Sequence, residues 1–483
     1  MGTEDEILDA ISATTHEKRQ STVPVGFVPE PTAEYRAHRK LAKATTAVGA
    51  PRVPIPIPVP IPVLVGPRVL MWKQDPSVAE IGIRKAFLPR PVSSGPSDAR
   101  IALTITGMPP VAPNAMGDFI QTPLTQQFDA VHTFAVVRET LTMYQRALAV
   151  GATPAALPWQ WNSPTVGDPI QVFPRHSTMQ NAFYSRNGRL LAFGFFPKPG
   201  VPAPAPTIFT CRSLDIVAHE TGHAILDGLK PNWLLTGNPP QTGALHEAFG
   251  DLTAIFLALS QLDQVEAVIA QTKANLHNKT FLADLAEEFG LALGLPFGLR
   301  NADNDLKLSE VGNEVHALSQ VFTGAIYDVL ADIFASERRP AVRDDAVTLL
   351  TTGQYVMSLL LRAIQAAPPS GATFADVANQ MLVIANADGK PAAYRNFIRN
   401  RFTVREVVVS PTPLTTDHSA GQMLQAAAHF ADSLPQNREA CCGTMTLPEN
   451  NGIDESIEQE QKEFLRQLSG ELQERKKAKA ETR

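Results

Sequence analysis

Cysteine, aromatic residues and basic charge are all in short supply, and each shortage closes off a class of protein. The chain has 3 cysteines, Cys211 and the adjacent Cys441 and Cys442. Adjacent cysteines rarely bridge each other, so there is no disulfide framework and no need of an oxidising compartment. Lysine and arginine number 42 against 48 aspartates and glutamates, a net charge of −6. Without a basic excess to neutralise phosphates, a nucleic-acid scaffold is disfavoured, and aromatics at 7% leave little for base stacking. No uninterrupted apolar run reaches the ~18 residues of a membrane span. The opening MGTEDEILDAISATTHEKRQ lacks a basic region leading into an apolar one, so no secretory signal is expected. The expected location is the cytoplasm, or outside it by a signal-peptide-independent route.

What is present is a globular composition, 44% hydrophobic and 19% charged over 483 residues, enough for roughly two or three domains. Residues 1–70 are polar, with a short basic helix expected around Ala33 to Thr46 and then the segment 51–67, PRVPIPIPVPIPVLVGP. Proline at every second position there dictates polyproline II or an edge strand, a stiff spacer or a docking ligand for a partner. Residues 71–212 are strand-rich. They include one amphipathic helix from Phe128 to Leu148 and a hairpin over Asn181 to Phe196 turning at Asn187–Gly188. Residues 213–405 are patterned as helix nearly throughout. The remainder, 406–483, ends in DESIEQEQKEFLRQLSGELQERKKAKAETR, acidic first and basic last, which suits the dipole of one helix over 454–483. Its thin apolar stripe fits a packing helix or a partner-binding coiled coil. Strands before helices predict an α+β protein with a cleft where the two meet.

The chemistry concentrates in Ser213 to Leu229, SLDIVAHETGHAILDGL. His219 and His223 are one helical turn apart and project from one face, with Glu220 beside the first. The pattern offers two neutral nitrogens to a zinc ion and a carboxylate base to the water next to it. A pair of hydrogen-bonded core histidines is the alternative. Leu229 stands where a third histidine of the metzincin type would be, which excludes that variant. The next helix, GALHEAFGD, places Glu247 and Asp251 on one face. Glu247 can ligate, and Asp251 can accept the free ring N–H of a ligating histidine. His246 is the rival ligand, pointing about 100° away from Glu247 around the helix.

VAHETGH followed by GALHEAFGD resembles the thermolysin-like gluzincin metallopeptidases, which carry HExxH and, on the next helix, NExxSD. Further segments match in order. Asn181–Tyr184 (NAFY) is similar to the family's edge-strand motif, Val315–Ser319 (VHALS) to its GVHxxS motif, and Ala325–Tyr327 (AIY) to the helix that follows. Asp129–Tyr144 looks like the family's long N-terminal-lobe helix, and Thr373–Val377 like its C-terminal one. The resemblance spans roughly residues 120–400. It implies a two-lobe fold, a strand-rich N-terminal lobe and a mainly α-helical C-terminal lobe, with one zinc ion in the cleft. It further implies His219, His223 and Glu247 as zinc ligands, Glu220 as general base and Asp251 as orienter. Asn181 and Ala182 would hold the substrate backbone, and His316 the oxyanion. Arg300, Ile216 and Leu299 would bind the leaving-group side, giving cleavage before a bulky apolar residue.

Two departures stand out. The family tyrosine that assists the histidine is missing from Leu234–Thr242, and Ala258 replaces a calcium-site glutamate, leaving only Asp215 of that group, so calcium is not supported. The implied activity is a zinc endopeptidase acting on peptides or proteins. A latent or binding-only protein with a peptidase fold, and a protease effector or toxin delivered without a signal peptide, are the alternatives. An intact Glu220 argues against the binding-only form, which has no use for a base.

Overall fold

The computed structural model describes residues 66–407, apart from 79, 150–152, 163–166, 236, 287–289 and 291–297. The helices expected at 33–46 and 454–483, and the proline-rich segment up to residue 65, lie outside the described residues. The protein is mixed α+β. The strands come first: β1 (Arg68–Trp72) and β2 (Ile83–Phe87) form an antiparallel pair. A four-stranded sheet follows, in the order β3 (Ile101–Leu103), β4 (Ile170–Phe173), β6 (Leu190–Phe193), β5 (Ala182–Ser185). β3, β4 and β6 run parallel, and β5 is antiparallel to β6, with Ala182 opposite Phe193. The hairpin read from the sequence is therefore β5–β6, and β5 is the edge of the sheet. β7 (Phe195–Pro197) and β8 (Thr207–Phe209) pair separately.

Helix α1 (Gln126–Ala147) lies between β3 and β4 in the chain and is capped by Thr125, whose side chain accepts from the Phe128 amide. Two helices then carry the chemistry. Helix α2 (Leu214–Leu229) starts at Ser213, whose hydroxyl accepts from the Ile216 amide. Helix α3 (Pro240–Leu259) opens with Pro239–Pro240, which suits a first turn that has no use for that N–H. Both are buried along most of their length, polar positions included. Helix α4 (Leu262–Thr272) ends on Lys273 at φ 52°.

The helical expectation for Ser213 to Arg401 fails after Thr272. There the chain forms a short antiparallel pair, β9 (Asp284–Leu285) with β10 (Arg300–Asn301), before helix α5 (Val315–Glu337) begins. Prolines, glycines and asparagines between Asn275 and Asn313 break the period. α6 (Asp345–Ala366), α7 (Phe374–Ala387) and α8 (Ala392–Val404) complete the described chain. By length and composition α5 and α6 could each cross a membrane, with mean hydropathies of 1.2 and 1.3. Their apolar windows are 83% and 61% buried inside the protein instead, so the hydropathy serves a core. That core is continuous from Val69 to Phe402, with a small satellite of Met179, Phe183 and Ala192.

The end of α8 is locked by one buried guanidinium. Arg405, 2% exposed, donates to Asn304 Oδ1 at 3.1 Å, to the Leu306 carbonyl at 2.9 Å and to Asp328 Oδ2 at 2.9 Å. Gly324 on α5 leaves room for it, since a Cβ there would stand 2.9 Å from the guanidinium carbon. Replacing Arg405 with alanine leaves Asp328 only Arg401, at 3.5 Å, and strands the Leu306 and Asn304 carbonyls. We expect Arg405→Ala to lower the unfolding free energy by about 3–5 kcal/mol in urea titration.

Candidate metal centre

The crossing of α2 and α3 is made close by two glycines. A Cβ on Gly222 would lie 2.7 Å from Thr253 Oγ1 and 3.3 Å from the Cα of Gly250. A Cβ on Gly250 would lie 2.7 Å from His219 Cε1 and Nδ1. The helices therefore touch backbone to backbone at the level of the histidines, and the His219 ring lies flat over Gly250.

At that crossing the ligand atoms of His219, His223 and Glu247 all fall within 4.8 Å of one another. His219 Nε2 and His223 Nε2 face each other at 2.9 Å. Glu247 stands 3.5 Å from the first nitrogen through Oε2 and 3.4 Å from the second through Oε1. Two nitrogens each ~2.0–2.1 Å from a tetrahedral zinc ion would sit roughly 3.3 Å apart, so a small ring rotation opens the gap. The donor set of two imidazoles and one carboxylate is one that zinc accepts. The residues fit a metal.

The surroundings aim the ligands. His219 Nδ1 lies 2.9 Å from Asp251 Oδ1, the partner expected from the sequence. Arg300 holds that carboxylate through Nε at 2.9 Å to Oδ2 and Nη2 at 2.6 Å to Oδ1. Arg300 thus holds the carboxylate behind His219, with Nη2 also 3.4 Å from His219 Nδ1. His316 Nε2 reaches to 3.5 Å from Glu247 Oε2, so the sequence-distant histidine does join the centre. Its Nδ1 is 2.6 Å from Glu314 Oε1, and the same carboxylate caps α5 by accepting from the His316 and Ala317 amides.

Charge is managed by burial and by these contacts. Burial pushes Glu220 up to about 7, and its Oε2 has no hydrogen-bond partner among the described residues. Burial opposes a charge on His219, but hydrogen bonds to Asp251 and Glu247 overcome it and raise the ring to about 10. Burial lowers His223 to about 3. Burial also disfavours ionised Glu247, yet the surrounding histidines hold it well below the usual carboxylate range. Three buried carboxylates around two imidazoles call for positive charge. The Arg300 guanidinium supplies part of it, at Asp251.

Ala182 is buried on the edge strand, and Asn181 Oδ1 accepts from the Ala182 amide at 2.9 Å. Ile216 is 9% exposed in the first turn of α2, and Leu299 is half-buried beside β10. Ala258 is buried within the apolar core, so no carboxylate stands where a calcium ligand was sought. A second group, His277, Asp303 and Asp328, also gathers, but Asp328 is already neutralised by Arg405 at 2.9 Å and Arg401 at 3.5 Å.

Several members were missed. Asp227 is buried on α2, four residues beyond His223, and accepts from Tyr184 Oη at 2.7 Å and Arg186 Nε at 2.8 Å. It ties the edge strand to the histidine helix. The i, i+4, i+8 spacing of His219, His223 and Asp227 was the available signal. Glu314, two residues before His316, was overlooked, and His246 Nδ1 meets His223 Nδ1 at 2.9 Å.

No family model matches this chain, and no curated protein does. Among solved structures, it is similar to the precursor of protealysin, a metalloproteinase from Serratia proteamaculans, at 14% identity and a TM-score of 0.40. That similarity covers 63% of this chain and 87% of the other.

Gly250→Ala pushes a methyl group into the His219 ring while leaving α3 intact. We expect unchanged far-ultraviolet dichroism and a zinc affinity at least about 10-fold weaker by chelator competition, comparable to losing a partner of a ligating histidine. Wild-type affinity in that variant would show that the close crossing does not set the ligand geometry.

Proposed function

We propose that this chain is a zinc-dependent endopeptidase of the thermolysin-like kind. The observation that carries the reading is the convergence of His219, His223 and Glu247 within 4.8 Å, with the buried Glu220 next to His219 in the chain. When bound, zinc supplies Lewis acidity toward a peptide carbonyl and makes a nearby water more acidic.

The chain's own residues do the rest. Glu220, pushed up to about 7 by burial, is matched to taking a proton from water near neutral pH and returning it to the leaving amine. His316, steadied by Glu314, stabilises negative charge developing on the carbonyl oxygen. An extended substrate adds to the edge strand β5, where Asn181 and Ala182 hold its backbone. β5 is fixed to α2 through Tyr184, Arg186 and Asp227, so the substrate strand and the base keep one spacing. Ile216 and Leu299 line an apolar pocket on the leaving-group side, and Arg300 binds the substrate carbonyl there. In this reading the strand-rich part to residue 212 and the helical part from 213 are the two lobes. Docking of a partner through 51–67 or 454–483 is compatible with this reading.

The test is a peptide library digested by wild type and Glu220→Gln, with cut sites mapped by mass spectrometry. Wild type should cut before bulky apolar residues, stop on chelation and recover with zinc. Glu220→Gln should keep its zinc and lose about 10²- to 10⁴-fold in rate. Zinc-loaded wild type that cuts nothing would leave a binding-only protein, with the tyrosine absent from Leu234–Thr242 as the first explanation. Cleavage beside charged residues would overturn the proposed pocket.

A further inference from the structure

The β1–β2 pair turns one face inward and one face out. β1 lies between β2, where Arg68 pairs with Phe87, and residues 118–120, where Val69 bridges Phe119 in parallel. Side chains alternate across such a ribbon. Val69, Met71, Ala86 and Phe119 point inward and are buried. Ile120, Leu70, Trp72, Ile83 and Phe87 therefore share the opposite face. Phe87 is 62% exposed and Ile120 38%, while Leu70, Trp72 and Ile83 are half-buried. Cations border these apolar rows. Arg68 is neutralised by Asp118, to which its Nε donates at 2.8 Å. Lys85, opposite Leu70, and the neighbouring Arg84 and Arg90 are exposed and leave the face positive.

We propose that this face docks the chain's own C-terminal segment, residues 454–472. Charge, spacing and reach all fit the segment to it. Asp454, Glu455, Glu458, Glu460 and Glu463 stand against Lys462 alone in its first ten residues, a charge opposite to that of the face. Ile457, Phe464, Leu465, Leu468 and Leu472 recur at the spacing of one helical face, so a single apolar stripe meets the apolar rows. Residues 408–453, 46 in all, separate the segment from the last described residue. That length of chain can span about 150 Å, far more than the width of a domain of this size. Attached in this way, the two surfaces meet at an effective concentration on the order of millimolar, enough for an interaction too weak to hold a free peptide. An anionic lipid surface would meet the same cations; the segment is favoured because it is already attached. Docking covers Phe87 and offsets the cations, and release bares both. It is independent of the metal reading.

The test is amide hydrogen exchange, read by mass spectrometry, on the full chain and on two full-length variants, Phe87→Asp and Leu468→Asp. In wild type, residues 457–468 and β2 should both exchange at least about 10-fold more slowly than in either variant, with α5 and α6 unchanged throughout. Salt at about 0.5 M should remove much of that protection, because it screens exposed charges. Rapid exchange of 457–468 in wild type, or protection that Phe87→Asp leaves intact, overturns the proposal. Protection that vanishes on dilution assigns the segment to a second copy of the chain. Binding of wild type to phosphatidylserine vesicles with 457–468 still unprotected assigns the face to lipid. Either result also overturns docking within one chain. If Phe87→Asp disturbs α5 or α6, Leu468→Asp, which changes no described residue, decides alone: β2 must lose protection there for the proposal to stand.

Discussion

The centre depends on how closely α2 and α3 can approach. Helices packed through ordinary side chains keep their axes about 8–10 Å apart. Here Gly222 and Gly250 remove the side chains from the line of contact, and a Cβ on Gly222 would come within 3.3 Å of the Cα of Gly250. Only at that approach can a ring from one helix and a short carboxylate from the other share one space. Gly222 is also the third residue of the four-residue step from His219 to His223, so the same turn that spaces the ligands supplies the gap. The entropic weakness of glycine inside a helix, about 0.5–1 kcal/mol each, is offset by the burial of both helices on every side.

Placing so many titratable groups in one core has a consequence for the free protein. Buried charges persist when they are paired or coordinate metals. Asp251 is paired twice, by His219 and by Arg300, and stays below the ordinary aspartate range although burial works against it. Glu247 is drawn on by three histidines. Glu220 has no such company at Oε2 and is the carboxylate that burial lifts. Two neighbouring carboxylates in one cluster are thus driven apart in acidity by their partners alone. In the proposed reading that separation suits Glu247 to a ligand, which must stay ionised, and Glu220 to a base, which must exchange its proton.

Much of this was legible in the sequence because the information is local. HExxH fixes two rings on one helical face whatever the rest of the chain does, and E-x-x-x-D does the same for Glu247 and Asp251. The hairpin at Asn187–Gly188 and the α1 helix follow from turn chemistry and period. What local pattern did not carry was direction in the second layer. His246 sits about 100° from Glu247 around α3, which suggested either a competing ligand or a residue facing elsewhere. Only the crossing shows that the displaced face meets the far side of His223. Asp227 and Glu314 were within reach, since each lies one short step from a histidine already singled out. The pairing of β9 with β10 was not, because strands two residues long leave no period to read.

These second-layer groups explain why a small set of elements is enough to hold the centre. α2 bears on its neighbours from both sides: His219 and His223 are received by α3, while Asp227 receives Tyr184 and Arg186 from the region of β5. The edge strand and the histidine helix are therefore joined by charged hydrogen bonds as well as by packing. Such bonds are roughly twice as strong as neutral ones and fix direction as well as distance. Sites built on helices and strands whose side chains are themselves held hold their geometry better than sites built on loops. His316 follows the same logic at the start of α5. There Glu314 caps the helix and grips the ring at once, so the helix cannot begin elsewhere without releasing the histidine. Each side chain aimed at the centre is thus tied to the start, the crossing or the end of a rigid element, so the geometry of the cluster is built into the fold.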